Sequence, residues 1–190
     1  MSYKQCFDYV RSDYYRITGR KDDCLFLMWK ATILNIWFRY LFWWRFSKCD
    51  NLLVSTFSRI VYMHLLMKHH IDIQRDTKIG YGFKINHGGP VVINSSTIIG
   101  DNVEICQNST IGSLFFHAAN IGNEVYIGPS VCIVENVSIG DGVTIGAGSV
   151  VVHDVDKGMT VAGNPAHVIS MKEPSRFINR KWNREWNRTK

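Results

Sequence analysis

Residues 121–151 read IGNEVYIGPSVCIVENVSIGDGVTIGAGSVV, and in them an aliphatic side chain returns at every sixth position: Ile121, Ile127, Ile133, Ile139, Ile145 and Val151. The same period runs upstream in two further registers, Ile73, Ile79 and Ile85, then Ile93, Ile99, Ile105 and Ile111. Four positions after many of these stands a second inward candidate, as in Val103, Ser109, Val125, Val131, Val137, Val143 and Ser149, with Gly, Asp and Asn filling the places between. A helix repeats every ~3.6 residues and a strand every ~2, so neither gives a six. The period therefore predicts short strands turned by small polar residues and stacked as a solenoid, each hexad forming one face of a coil. Three regions follow: helical residues 1–70, a hexapeptide β-helix over 71–169 and a basic tail over 170–190.

The chain has 190 residues, 46% of them hydrophobic, which is ample for a core. Its five cysteines, Cys6, Cys24, Cys49, Cys106 and Cys132, are scattered and form no CxxC pair, which argues against a disulfide framework or a zinc site and for a reducing compartment. The N-terminus, MSYKQCFDYVRSDYYR, carries charge throughout and no apolar secretory core, so the expected location is the cytoplasm. Lys and Arg outnumber Asp and Glu by 11 to 5 in residues 1–70 and by 7 to 2 in 172–190, but fall short by 4 to 9 in 71–171. An acidic body between basic ends, with no recognised binding motif, argues against nucleic acid as a partner.

Before the coils, residues 3–18 predict a helix with Tyr3, Phe7, Val10, Tyr14 and Ile17 on one face and Gly19 as its C-cap. Residues 24–46, CLFLMWKATILNIWFRYLFWWRF, are the most aromatic stretch; Lys30, Asn35, Arg39 and Arg45 interrupt it, so it falls short of the ~20 apolar residues that a bilayer-spanning helix needs. One amphipathic or buried helix is expected there. It either packs on the solenoid or a sister subunit or rests at a lipid interface through Trp29, Trp37, Trp43 and Trp44, with packing the stronger reading. Residues 52–70 read as a third helix in which His64, His69 and His70 are ordinary members. In the tail, Phe177, Trp182 and Trp186 stand among basic residues, and two readings stay open: a helix capping the last coil, or partial disorder.

His87, in KINHGG, is the first candidate for chemistry, because histidine is the natural base near neutral pH and Gly88 and Gly89 let a substrate approach the backbone. Asp72 precedes it by 15 residues; with three hexads per turn it would lie one rung below, where contact is open rather than dictated. The segments IDIQRDTKIGYGFKINHG, IGDNVEICQNSTIGS and IGDGVTIGAGSVVVHDV, with VAGNPAHVI closing, resemble the hexapeptide-repeat acyltransferases. The nearest likeness is to serine acetyltransferases and the shorter enzymes that O-acetylate bacterial polysaccharides. The resemblance implies a left-handed parallel β-helix, a homotrimer, acetyl-CoA as donor, no metal, and a catalytic dyad falling on Asp72 and His87 with a loop histidine at His117. It also implies a pantetheine groove between neighbouring coils, matching Gly112, Ser113, Gly128, Gly146, Ala147 and Gly148, although glycine recurs at the corners of any such helix. The zinc-binding carbonic anhydrases of this fold hold histidines at i and i+5, and Gly122 stands five residues after His117.

The acceptor is read from two departures. The residue before the loop histidine is Arg in serine acetyltransferases and Phe116 here; the residue before the catalytic histidine is usually Asp there and Asn86 here. Without both charged partners, serine's carboxylate and ammonium would be left unpaired in a partly dry site, which is costly. Asn86 and Phe116 instead suit a sugar, so O-acetylation of a capsule, O-antigen or other bacterial surface polysaccharide is expected. Serine O-acetylation is the alternative, and a non-catalytic scaffold a further one. The basic, aromatic ends add peripheral association with the inner membrane as an expectation.

Overall fold

The inward positions of the hexads decide the architecture. In the computed structural model, described for residues 1–21, 24–114, 117–172 and 174–187, the lead aliphatics of all three registers are between 0% and 5% exposed. Their companions, from Val103 to Ser149, are equally buried. The first coil is β1 (Ile71–Ile73), β2 (Lys78–Ile79) and β3 (Lys84–Asn86); the second is β4 (Val91–Ile93), β5 (Ile98–Ile99) and β6 (Glu104–Cys106). The third is β7 (Ser109–Gly112), β8 (Asn120–Ile121) and β9 (Tyr126–Ile127), and the fourth β10 (Cys132–Val134), β11 (Ser138–Ile139) and β12 (Thr144–Ile145). A last coil of β13 (Val150–Val151) and β14 (Thr160–Gly163) closes with β15 (Ala166–Ser170), antiparallel to β14. Three sheets result, β1-β4-β7-β10-β13, β2-β5-β8-β11 and β3-β6-β9-β12-β14-β15, forming a left-handed parallel solenoid of three faces. We call these faces A, B and C. The inward serines are satisfied by neighbouring carbonyls: Ser109 donates to Gly128 at 2.9 Å and Ser149 to Gly146 at 2.7 Å.

Coil length is not uniform. On face A, Val91 pairs with Ile71 20 residues earlier and with Ser109 18 later, whereas Thr110 pairs with Cys132 22 later and Cys132 with Val150 18 later. Because the ladders hold the strands in register, the extra residues of the first and third coils are expelled at corners.

Among the described residues, four helices precede the coils: α1 (Tyr3–Thr18), α2 (Leu25–Leu34), α3 (Ile36–Phe46) and α4 (Leu52–His69). Ser2 and Gln5 form a capping box at the start of α1, and Gly19, at φ 75°, ends it. Val10 and Tyr14 of the predicted stripe are buried, while Tyr3 is exposed. The single helix expected over 24–46 is broken at Asn35, whose side chain accepts hydrogen bonds from Trp37 N and Phe38 N and so caps a new helix instead of continuing the old one. The packing reading holds for Trp44, which is fully buried, and for Trp37 and Trp43, which pack partly buried against the core; Trp29 remains exposed.

Buried charge fastens the helices to the first two coils. Arg45 of α3 bonds Asp13 of α1 through two nitrogens, at 2.9 and 3.2 Å, and the carbonyls of Ile79 and Gly80 at 2.8 Å each. Asp13 also accepts from Phe83 N at 2.9 Å. Arg16 reaches Glu104 of β6 and the Gly82 carbonyl, both at 3.1 Å, while Lys84 bonds the other oxygen of Glu104 at 3.2 Å. The basic tail neither caps the last coil nor continues as a long helix. It returns along the corner between faces B and C: Ser175 N bonds Gly142 O, Lys181 meets Glu124, and Trp182 exchanges two hydrogen bonds with Asn102. Arg184 then pairs with Asp101, and Trp182 rests against Tyr15 of α1. The acidic coils thus account for where the tail's cations lie. Among the described residues, no helix is long and apolar enough to cross a membrane, and no group of His, Cys, Asp and Glu is placed to hold a metal.

Replacing Asp13 by Ala leaves the Arg45 guanidinium, 2% exposed, without its counter-charge. The Asp13→Ala chain should lose about 3–5 kcal/mol of stability in urea unfolding. A loss under ~1 kcal/mol would show that the pair does not tie the helices down.

Candidate active site

β3 passes to β4 through His87, Gly88, Gly89 and Pro90, whereas β6 passes to β7 through Gln107 and Asn108 alone. The two expelled residues of the first coil therefore make the bulge on which His87 stands. His87, Gly88 and Gly89 all have positive φ, 59°, 62° and 114°, a conformation costly for a residue with a side chain unless its surroundings hold it. The indole of Trp37 supplies the support: a Cβ on Gly88 would lie 1.3 Å from the Trp37 ring, so α3 closes directly on the glycine backbone. That indole also meets His69, ring centroids 6.0 Å apart and nearly perpendicular. His87 itself is exposed.

Asp72 is the middle residue of β1, its side chain turned outward, with Val92 beside it on the next coil. It therefore lies on face A, whose edge toward face C carries His87, and the two side chains are not hydrogen-bonded to each other. Asn86, half-buried, is paired in register with Cys106. The Cys106 thiol donates to Tyr126 Oη at 3.3 Å, and burial pushes the thiol pKa up.

Higher on the same corner stand Gly128, Gly146, Ala147 and Gly148. Gly128 is small for a reason internal to the fold, since a Cβ there would meet the Ile145 carbonyl at 2.8 Å and Ala147 N at 2.9 Å. Gly148, at φ 68°, faces open space, and Ala147 is exposed beside it. Gly146 would bring a Cβ to 3.0 Å from that of Ala162. These positions leave a strip of bare backbone rising from the His87 bulge.

His117 stands elsewhere. The four residues expelled from the third coil lie between β7 and β8, at the corner between faces A and B. Gly112 ends β7, where a Cβ would meet only the Thr110 methyl at 3.8 Å, and Ser113 begins the loop by donating to Glu135 at 2.8 Å, a carboxylate that also accepts from Leu114 N at 3.3 Å. At the loop's far end, Ala118 N bonds Ser96 Oγ at 2.9 Å and Ala118 is buried, while His117 is exposed. Phe116, expected beside the acceptor, lies outside the described residues. Face A thus separates the candidates into two sets. His87 and the Gly128–Gly148 strip occupy one edge, with Asp72 on the face itself, and His117, Gly112 and Ser113 the other.

Three supporting residues escaped the sequence reading: Trp37, Ser96 and Glu135. For the last two a signal existed, because Ser113 to Glu135 and Ser96 to Ala118 are each 22 residues apart, the length of the enlarged coil. Trp37 had no local signal.

Residues 118–153 match the family profile described as bacterial transferase hexapeptide (six repeats). Over 110 residues the chain is 42% identical to the chloroplastic serine acetyltransferase 1 of Arabidopsis thaliana, covering 56% of this chain and 35% of that protein. The serine acetyltransferase of Neisseria gonorrhoeae, crystallised in complex with serine, superposes with a TM-score of 0.73 at 26% identity, covering 88% of this chain and 70% of that one. The soybean serine acetyltransferase complexed with serine gives 0.67 at 27% identity, over 85% and 68%. The chain spans less than half the length of the curated relatives it matches. These findings overturn both the placement nearest to polysaccharide O-acetyltransferases and the sugar-polymer acceptor drawn from Asn86 and Phe116. Likeness along the whole solenoid outweighs two neutral side chains, one of them outside the described residues, and the proteins that this chain is similar to are serine acetyltransferases.

Proposed function

We propose that this chain transfers an acetyl group from acetyl-CoA to the hydroxyl of serine, at a site shared between two copies in a homotrimer. The observation that carries this reading is the exposed His87 bulge beside Asp72, below a strip of bare backbone, within a solenoid similar throughout to serine acetyltransferases. In the reaction His87 takes the proton from the serine hydroxyl as that oxygen attacks the thioester carbonyl. Asp72 fixes the imidazole once substrate closes the gap between them, and the coenzyme's thiolate leaves. The backbone along Gly128, Gly146, Ala147 and Gly148 receives the flat pantetheine arm, with Gly112 and Ser113 of the neighbouring copy opposite. His117 of that neighbour faces the reacting groups. Asn86 offers an amide in place of a carboxylate to the substrate's ammonium. A donor drawn from metabolism fits a cytoplasmic location.

Acetyl-CoA with L-serine should release free thiol and yield O-acetylserine by mass. No turnover at millimolar serine would remove the reading. His87→Ala should cut kcat by about 10²–10⁴-fold with the circular-dichroism spectrum unchanged, and Asp72→Asn should cost less because an amide still orients the ring.

A shared site makes a further prediction. His87→Ala and His117→Ala chains, each inactive alone, should regain about a quarter of wild-type activity when denatured and refolded together in equal amounts, because random assembly brings an intact His87 to an intact His117 at one boundary in about four. No recovery above either parent would mean that the two histidines do not act across a boundary.

A further inference from the structure

We propose that the outer face of α2 and α4 is a docking surface for an anionic lipid bilayer. The pattern on α4 is inverted for a helix covering a core. Ser58, Tyr62 and Leu65 turn inward, while Leu53, Phe57, Ile60 and Met67, spaced for one stripe, are 82%, 59%, 66% and 67% exposed. α2 continues the surface with Phe26 and Leu34, 64% and 86% exposed. Beside the two helices lies an open groove of about 460 Å³, lined by Phe26 and Trp29 of α2, Phe42 and Trp43 of α3 and Val54 and Phe57 of α4. An apolar surface of this continuity marks an interaction site.

Charge selects the occupant. Residues 24–70 carry six Lys and Arg but a single carboxylate, Asp50. Arg45 is consumed by Asp13, and Lys48 donates to the Thr77 carbonyl, whereas Lys30, Arg59 and Lys68 are exposed on the two helices. A second copy docked through the same face about a two-fold axis would set these cations against themselves. Anionic headgroups would neutralise them while the apolar stripe enters the acyl boundary, the arrangement of an interfacial helix. Neither helix spans the bilayer; both lie on it. The tail is not part of the surface, because Lys181 and Arg184 are paired with Glu124 and Asp101.

The test is flotation with vesicles of phosphatidylglycerol and phosphatidylcholine, beside vesicles of phosphatidylcholine alone, at low and high salt. Binding to the anionic vesicles should be at least tenfold tighter and fall with salt. It should drop about fivefold with each of Lys30→Gln, Arg59→Gln and Lys68→Gln and vanish in the Leu53→Glu, Ile60→Glu double variant, with acetyl transfer unchanged in all of them. Absence of binding to anionic vesicles at low salt overturns the proposal. So does an unaltered vesicle affinity in the double variant together with a smaller assembly in lipid-free sedimentation, which would assign the face to a second copy.

Discussion

Every coil must present its inward residues directly over those of the coil below, because each parallel strand is only two to four residues long and is held mainly by its ladder to the neighbouring coils. A fixed register on three faces forces the residue count of a coil to be conserved wherever the chain runs through a sheet. Surplus residues can leave only at corners. The protein uses that freedom at the first coil, two residues longer than the second, and at the third, four residues longer. His87 stands on one expelled segment and His117 on the other. Regularity of the core and irregularity of the site are one constraint seen from two sides.

The bulge under His87 also depends on the helices, through a chain of contacts that begins in buried charge. Taking the Asp13 carboxylate and the Arg45 guanidinium out of water costs several kcal/mol each, and only the paired geometry with two carbonyls and Phe83 N offsets it. Such a network is poor evidence of net stability, but it tolerates few alternative placements of α3. α3 in turn brings Trp37 against Gly88, and the indole holds a turn in which three successive residues have positive φ. Helix packing and the candidate base are thereby coupled over one element. Glu135 and Ser96 do the same for the His117 loop from the coils above and below.

The sequence was most informative where the physics is periodic. A six-residue repeat places aliphatics inward whatever the corners contain, so Ile73 through Val151 could be assigned to the core from spacing alone, and the resemblance supplied the handedness. It was least informative where a contact joins distant segments. Trp37 over Gly88 needs the packing of α3, and Glu135 under Ser113 becomes visible only once the loop is counted into its coil. Asn35 is legible locally, as a capping residue inside an aromatic run, although hydrophobicity dominates the pattern of that stretch. The sugar acceptor expected from Asn86 and Phe116 fails for a related reason: charge missing at two positions of a pocket can be furnished by side chains elsewhere, or from another copy.

The geometry of face A bears on that last point. Its strands of two to four residues, at about 3.3 Å each, span on the order of 10 Å before the corners are added. Reacting atoms in acyl transfer must approach to about 3–3.5 Å. His87 at one edge of the face and His117 at the other are therefore held apart by the width of that face within a single chain. Both are exposed, and each is backed by fixed structure, Trp37 behind the first and Ser96 beside the second. A three-faced prism that packs by one face against the next copy, and closes into a ring, would bring one edge of each copy to the opposite edge of its neighbour. In that arrangement the two expelled segments become halves of one cleft, and the coil whose surplus produced each of them is the coil that positions it.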